Sequence, residues 1–211
     1  MRSHGVTVSF LVAGLGDLLA LREVFASRDY KLELDEPPGR IVDLGANIGA
    51  ASVFFATRWP DAHILALEPD PGTFERLAAN TRPFPRVSAE RLAVAGRPGE
   101  LRIRPSAWGD SLTSSTLGGG GEGHPVEAVT LDELVERCGG QIDLLKFDIE
   151  GMELETLAAA ERLGDIVTLI GELHEEMMGA PAEEVARLLS GHRVEIEPLP
   201  GGQLLLRARR Q

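Results

Sequence analysis

Ile41-Val42-Asp43-Leu44-Gly45-Ala46-Asn47-Ile48-Gly49 is the stretch on which the fold is decided. Its first four residues are a short apolar run cut off by Gly45, and a helical pattern then covers about residues 49–58 until Trp59-Pro60 stops it. Gly45 permits a tight turn with close backbone approach, and Gly49 permits close packing of helix on strand. A strand turning through glycine into a helix is the opening unit of an open α/β sheet, whose ligands sit beyond the carboxyl ends of the strands. Asp43 stands just ahead of that turn. Its carboxylate suits a ligand with a cationic end and would repel a pyrophosphate. The Gly45-to-Gly49 spacing is also not the G-x-G-x-x-G of dinucleotide-binding loops, which counts against a nicotinamide-dependent oxidoreductase.

Working outward, Ile64-Leu65-Ala66-Leu67 reads as the second strand, ending at Glu68-Pro69-Asp70. Glu68 lies at the strand tip, where a carboxylate can hold both hydroxyls of a ribose. Pro69 blocks continuation of the strand, and Asp70 is placed to cap a helix over 71–80. A third strand is expected over 87–94, where Leu92, Ala93 and Val94 could flank a flat ring, and a further strand over 100–104. Residues 106–123 are rich in Ser, Thr and Gly; Trp108 and Ser111 in this loop are candidates for a substrate wall. Strands at 126–129, 142–147 and 166–173 alternate with helices from 131, over 154–163 and over 182–189. Two last strands, 193–197 and 203–207, are joined by Leu199-Pro200-Gly201-Gly202.

The internal strands are near-continuous apolar runs, as expected of parallel strands covered by helices on both faces. The Pro-Gly-Gly link is too short for a crossover, so the final strand is antiparallel to its neighbour. The expected fold is α/β, a doubly wound, mostly parallel sheet with one antiparallel strand from the C-terminal hairpin. Upstream, Leu18, Leu21, Val24 and Phe25 predict a helix over 16–28, and Asp35-Glu36-Pro37-Pro38-Gly39 breaks the pattern. The expected division is a helical prelude over 1–35 and one α/β domain over 36–211.

The formal net charge of −12 over 211 residues argues against nucleic acid as the main partner. Cys138 is the single cysteine, so no internal disulfide can form and a reducing compartment is the simplest setting. No apolar run reaches the roughly 20 residues of a membrane span, and the apolar stretch 6–13 lacks a basic segment before it. A cytoplasmic protein without a membrane partner is therefore expected, and a homo-oligomer is compatible with it.

Chemistry-bearing residues gather at two further strand ends. Lys146-Phe147-Asp148-Ile149-Glu150-Gly151 closes the fourth strand of the main sheet, with Lys146 and Asp148 on one side of the pleat. Asp148 is the best-placed carboxylate, Glu150 follows at the turn where a substrate could touch it, and Lys146 is expected to pair with a buried acid. Gly171-Glu172-Leu173-His174 closes the next strand with Glu172 and His174 on one face. His174 suits a general base, since the unperturbed pKa of histidine lies near neutrality; Asp148, Glu172 and His174 form the candidate catalytic set. No spacing demands a metal. Asp148, Glu150, Glu172 and His174 could nonetheless hold a divalent cation such as magnesium. The alternative is a metal-free site in which a carboxylate orients His174.

The strings IVDLGANIG, ILALEPDPGTFERLAAN, TLDEL and IDLLKFDIEGMELETL, in this order, resemble the FkbM-type methyltransferases over about residues 30–174. The resemblance implies the class I methyltransferase (Rossmann-like) fold, S-adenosylmethionine as cofactor, and O-methylation of a hydroxyl on a small molecule, sugar or natural-product intermediate. It carries cofactor roles to Asp43, Gly45, Asn47, Gly49 and Glu68. Ala46, Pro69, Ala93, Asp148 and Tyr30, the only tyrosine, are expected beside the same cofactor. A nitrogen or carboxylate acceptor, and a cofactor-binding protein without catalysis, are the competing readings.

Overall fold

Strand and helix follow one another largely as the apolar runs predict. The computed structural model of the chain describes residues 1–27, 30, 32–103, 116–117, 123–199 and 202–211. In chain order its elements are β1 (Arg2–Ser3), β2 (Val6–Thr7), α1 (Leu15–Arg22), β3 (Arg40–Leu44), α2 (Ala50–Arg58), β4 (His63–Leu67), α3 (Pro71–Thr81) and β5 (Val87–Glu90). Then come β6 (Ala93–Val94), β7 (Gly99–Ile103), β8 (Thr116–Leu117), β9 (His124–Val129), α4 (Leu131–Arg137), β10 (Ile142–Phe147) and α5 (Glu153–Ala159). The last are β11 (Ile166–Leu173), α6 (Glu175–Met178), α7 (Ala182–Leu188), β12 (His192–Pro198) and β13 (Leu204–Arg210). A π-helical turn, Glu23–Ser27, extends α1.

Seven strands form the main sheet in the order β12-β13-β11-β10-β3-β4-β5. β3, β4, β5, β10 and β11 pair in parallel, while β13 runs antiparallel to both β11 and β12. The expected single antiparallel strand is therefore present, inserted between its hairpin partner and the parallel strands. Alternation along β3 sends Ile41 to one face and Val42 and Leu44 to the other. Val42, Leu145, Phe147 and Leu169 pack with Leu131, Leu134, Leu157 and Val185 from α4, α5 and α7. On the opposite face Ile41, Ile64, Leu144 and Ile170 pack with Phe55 of α2 and with Leu21, Val24, Tyr30 and Leu32. A fully buried side chain such as Phe55 contributes roughly 1.5–3 kcal/mol. No helix among the described residues is long and apolar enough to cross a membrane.

Helix starts follow their caps. Asp70 accepts a 2.8 Å hydrogen bond from the Thr73 amide ahead of α3, with Pro71 in the first turn. Thr130 and Glu133 make a reciprocal capping box at the start of α4. Ahead of α1, residue 11 is tied to α3 through Asn80, whose Oδ1 accepts from the Leu11 amide at 2.6 Å. Asn80 Nδ2 donates to the Ile48 carbonyl at 2.9 Å, so the same side chain also holds the loop after β3.

Three expectations are corrected. The strand expected over 87–94 is two strands. Glu90 and Arg91 interrupt its apolar run, and Ala93–Val94 leave the main sheet to pair with β9 in a second sheet of order β6-β9-β7-β8. The helix expected from residue 154 starts at Glu153, and the short helix α6 falls in a stretch assigned no element. The hairpin link at residues 200 and 201 lies outside the described residues, as does most of the loop over 106–123.

Gly171 shows how tightly β10 and β11 are matched. It stands opposite Phe147, and a Cβ built on it would overlap the Phe147 ring and carbonyl oxygen. Gly171→Ala is expected to cost roughly 1–3 kcal/mol through overpacking, read as a lower urea midpoint with unchanged slope. A midpoint equal to the parent's would mean that the two strands can part without loss.

Candidate active site

The loop after β3 is shaped from beneath. Asp43 is 0 % exposed, and its Oδ2 accepts a 2.6 Å hydrogen bond from Ser52 Oγ of α2. Its Oδ1 lies 3.1 Å from Lys146 Nζ, an ion pair buried on both sides. Lys146 therefore has the buried acid partner that its place in the strand predicted. The ammonium also donates to the carbonyls of Leu44 (3.3 Å) and Gly45 (2.8 Å). Burial alone would lower the Lys146 pKa, but Asp43 and Asp148 outweigh it and the net shift is upward. One side chain of β10 thus fixes the carbonyls that aim the loop, and Asp43 reaches any ligand only through Lys146 and that loop.

Gly45 has φ +66° and lies against the tip of β10; a Cβ there would overlap the Asp148 carbonyl oxygen. Asn47 also has a positive φ, 50°. The Asn47 amide donates to Glu68 Oε2 at 2.9 Å and the Asp70 amide to Glu68 Oε1 at 2.9 Å. Burial pushes the Glu68 carboxyl up to about 7, against the pull of those two amides. Glu68 thereby joins the tips of β3 and β4 into one rim.

A cleft opens beside this rim. Gly45, Leu67 and Pro69 line it with the tip residues Asp148, Ile149 and Glu150. Its apolar wall is made by Leu92, Ala93 and Val94 together with Leu101 and Ile103 of the second sheet. Such a wall suits a flat apolar face, while Glu68 lies buried behind Pro69 with each carboxylate oxygen accepting a backbone amide. The missing side chain at Gly45 lets the tip of β10 close against the loop, which brings Asp148 to the cleft.

The tips of β10 and β11 supply the acid–base groups. His174 Nδ1 lies 2.8 Å from Glu153 Oε1, while Nε2 lies 3.8 Å from both Asp148 Oδ1 and Glu150 Oε2. Glu150 has φ +51°, a conformation a non-glycine residue rarely holds without the surroundings imposing it. Burial lowers the His174 pKa, but the bond to Glu153 and the Asp148 and Glu150 carboxylates raise it more, to about 9. Burial and then Asp148 push both Glu150 and Glu172 up to about 7.

Of the expected catalytic and cation-binding residues, Asp148, Glu150 and His174 come together, with ligand atoms all within 4.8 Å of one another. Glu172 does not belong to that cluster: it is half-buried on β11, opposite Leu205. Tyr30 is packed in the core with its ring against Phe55, centroids 6.2 Å apart. Its hydroxyl pKa is raised by burial and then by Asp148, Glu172 and Asp43. Ala46 is buried with Ala66 and Leu77, and Gly49 precedes α2 with a Cβ position crowded by Leu77 and Thr81. Trp108 and Ser111 lie outside the described residues. Sequence reasoning missed Glu153, Ser52 and the Leu101–Ile103 wall. The signal for Glu153 was its place in the first turn of α5, two residues beyond Gly151.

The methyltransferase FkbM domain family matches residues 43–196. The hexuronic acid methyltransferase AglP of Haloferax volcanii is 28% identical over 201 residues, covering 92% of this chain and 80% of that protein. The 31-O-demethyl-FK506 methyltransferase FkbM of Streptomyces tacrolimicus is 31% identical over 228 residues, covering 90% and 85%. Among solved structures, methyltransferase FkbM from Methylobacillus flagellatus aligns with TM-score 0.60 at 14% identity, over 90% of this chain and 47% of that one, a likeness of fold.

Proposed function

The chain belongs to the methyltransferase FkbM domain family, and from that premise we propose that it methylates a hydroxyl of a small-molecule acceptor using S-adenosylmethionine. The observation that carries this reading is the shared cleft, in which Gly45 and Pro69 of the donor rim face Asp148 and Glu150 of the acid–base cluster. Gly45 and Asn47 would receive the donor's amino-acid end, Glu68 its ribose, and the Ala93 wall its adenine. When bound, this group supplies a methyl carbon on a positively charged sulfur. The chain's own task is then to orient the acceptor, exclude water and take one proton.

A hydroxyl acceptor needs that proton removed, whereas a carboxylate acceptor does not. A histidine whose free ring nitrogen lies 3.8 Å from two residues that line the cleft, Asp148 and Glu150, is equipped for that removal. His174 Nε2 is the atom assigned to it. A second reading is favoured by the closeness of Asp148, Glu150 and His174, which could hold a divalent cation that activates the hydroxyl instead.

Calorimetric titration of the protein with S-adenosylmethionine, with NAD as control, is expected to show one-site binding of the first and none of the second. Transfer of a labelled methyl group to a panel of hydroxylated acceptors should then proceed equally in chelator and in magnesium. Binding of NAD alone would sink the methyl-transfer reading. Turnover abolished by chelator and restored by magnesium would move the proton-removing role from His174 to a cation.

A further inference from the structure

Glu153 is absent from the proton path just described, yet it is fully buried against His174. It is 0 % exposed in the first turn of α5, and the partner of its Oε1 is His174 Nδ1 at 2.8 Å. Its Oε2 is buried and makes no hydrogen bond among the described residues. A carboxylate withdrawn from water and given one partner acts on that partner. Because a carboxylate only accepts, the contact places a hydrogen on Nδ1 and leaves the lone pair of the neutral ring on Nε2. Nε2 is the nitrogen that faces Asp148 and Glu150, each at 3.8 Å, where those two residues line the cleft with Gly45.

We propose that Glu153 is a positioning residue: it fixes the tautomer and orientation of His174 so that the acceptor's proton is taken at Nε2 and nowhere else. The proposal rests on the methyl-transfer reading for the identity of the step, and on this chain's geometry alone for the arrangement. In that step the acceptor O–H bond breaks and the proton bonds to Nε2, while the oxygen's electron pair forms the new bond to the methyl carbon as that carbon's bond to sulfur breaks and its pair stays on the sulfur. The hydrogen on Nδ1 stays on the ring, and the charge the ring acquires is balanced by Glu153 behind it. Glu172 of β11 also acts on the ring's charge, and the charged groups nearest the ring are Glu153 from α5 and Asp148 and Glu150 from the tip of β10. With Glu153 neutral, the other two would draw the ring's hydrogen toward Nε2, leaving the cleft side without a lone pair.

Nitrogen-15 spectra of His174 in the free protein test the arrangement without any substrate. In the parent protein the neutral ring is expected as the Nδ1–H tautomer. In Glu153→Gln the side-chain amide can donate as well as accept, so the ring is expected to populate both tautomers. Its titration midpoint should also fall from about 9 toward the ordinary value of roughly 6.5. Turnover of the same variant should fall roughly tenfold to a thousandfold in kcat, with KM changed less than about threefold. A parent ring found as Nε2–H would overturn the proposal, and so would a variant with unchanged midpoint and kcat within about twofold of the parent. If Glu153→Gln does not fold, the parent's tautomer decides alone. If the spectra change as expected but His174→Gln keeps full turnover, the positioning stands and the proton-removing role of His174 fails.

Discussion

Lys146→Met is expected to lose about 3–5 kcal/mol of stability. The methionine fills much the same volume, so the loss comes from Asp43. Its 0 % exposed carboxylate would keep only the Ser52 hydroxyl, at 2.6 Å, and would face no positive charge. The carbonyls of Leu44 and Gly45 lose their donor as well, which loosens the loop on the donor side of the cleft. Urea unfolding should show the drop, and affinity for S-adenosylmethionine should fall with it. Adding Asp43→Asn to Lys146→Met should restore a large part of the stability, because the uncompensated charge is then gone. A single variant within about 1 kcal/mol of the parent would show that the pair is not a structural unit.

His174→Gln is expected to lower kcat by roughly 10²–10⁴-fold, the range over which a positioned base accelerates a reaction. The pH dependence gives the sharper reading. The folded-state pKa of His174 is raised to about 9 by Glu153, Asp148 and Glu150 acting against burial. Below that value the ring carries both protons and cannot accept another. The parent kcat/KM should therefore climb with pH and level off above about 9, and the variant should lose this limb. Stability runs the other way. A raised folded-state pKa means that the protonated histidine stabilises the fold fully below its unfolded value near 6.5, and the contribution disappears as pH rises through about 9. A parent profile flat between those limits would remove His174 from the proton transfer.

The donor half of the site was legible in the sequence because each of its parts sits at the end of an apolar run. Gly45 and Glu68 are strand-tip residues by spacing alone, and the parallel sheet brings successive tips together. The acid–base half was legible at Asp148 and His174 for the same reason. Glu153 was not, since its partner lies 21 residues away and meets it only because α5 packs beside the tip of β11. The boundary of α5 hid it further: with the helix begun at 154, residue 153 reads as loop. Ala93 and Val94 were placed at the cleft, but in the wrong sheet. Burial makes a continuing strand and a strand that changes partners look alike, and only the pairing with β9 separates them. Asp43 illustrates the opposite error of emphasis. The sequence marks it as a ligand for a cation, and in the structure the cation is the chain's own Lys146.

The placing of β13 bears on how the polypeptide is made. Of the strands of the main sheet, the last to leave the ribosome is the one that lies between β11 and β12. A nascent chain that has emerged only through β12 holds β11 as an open edge, with Leu205, Leu206 and Ala208 not yet available to cover it. Assembly of this side of the sheet must wait for residues 204–210, so a stalled or truncated product would carry an exposed apolar edge and be a natural target for chaperones and proteases.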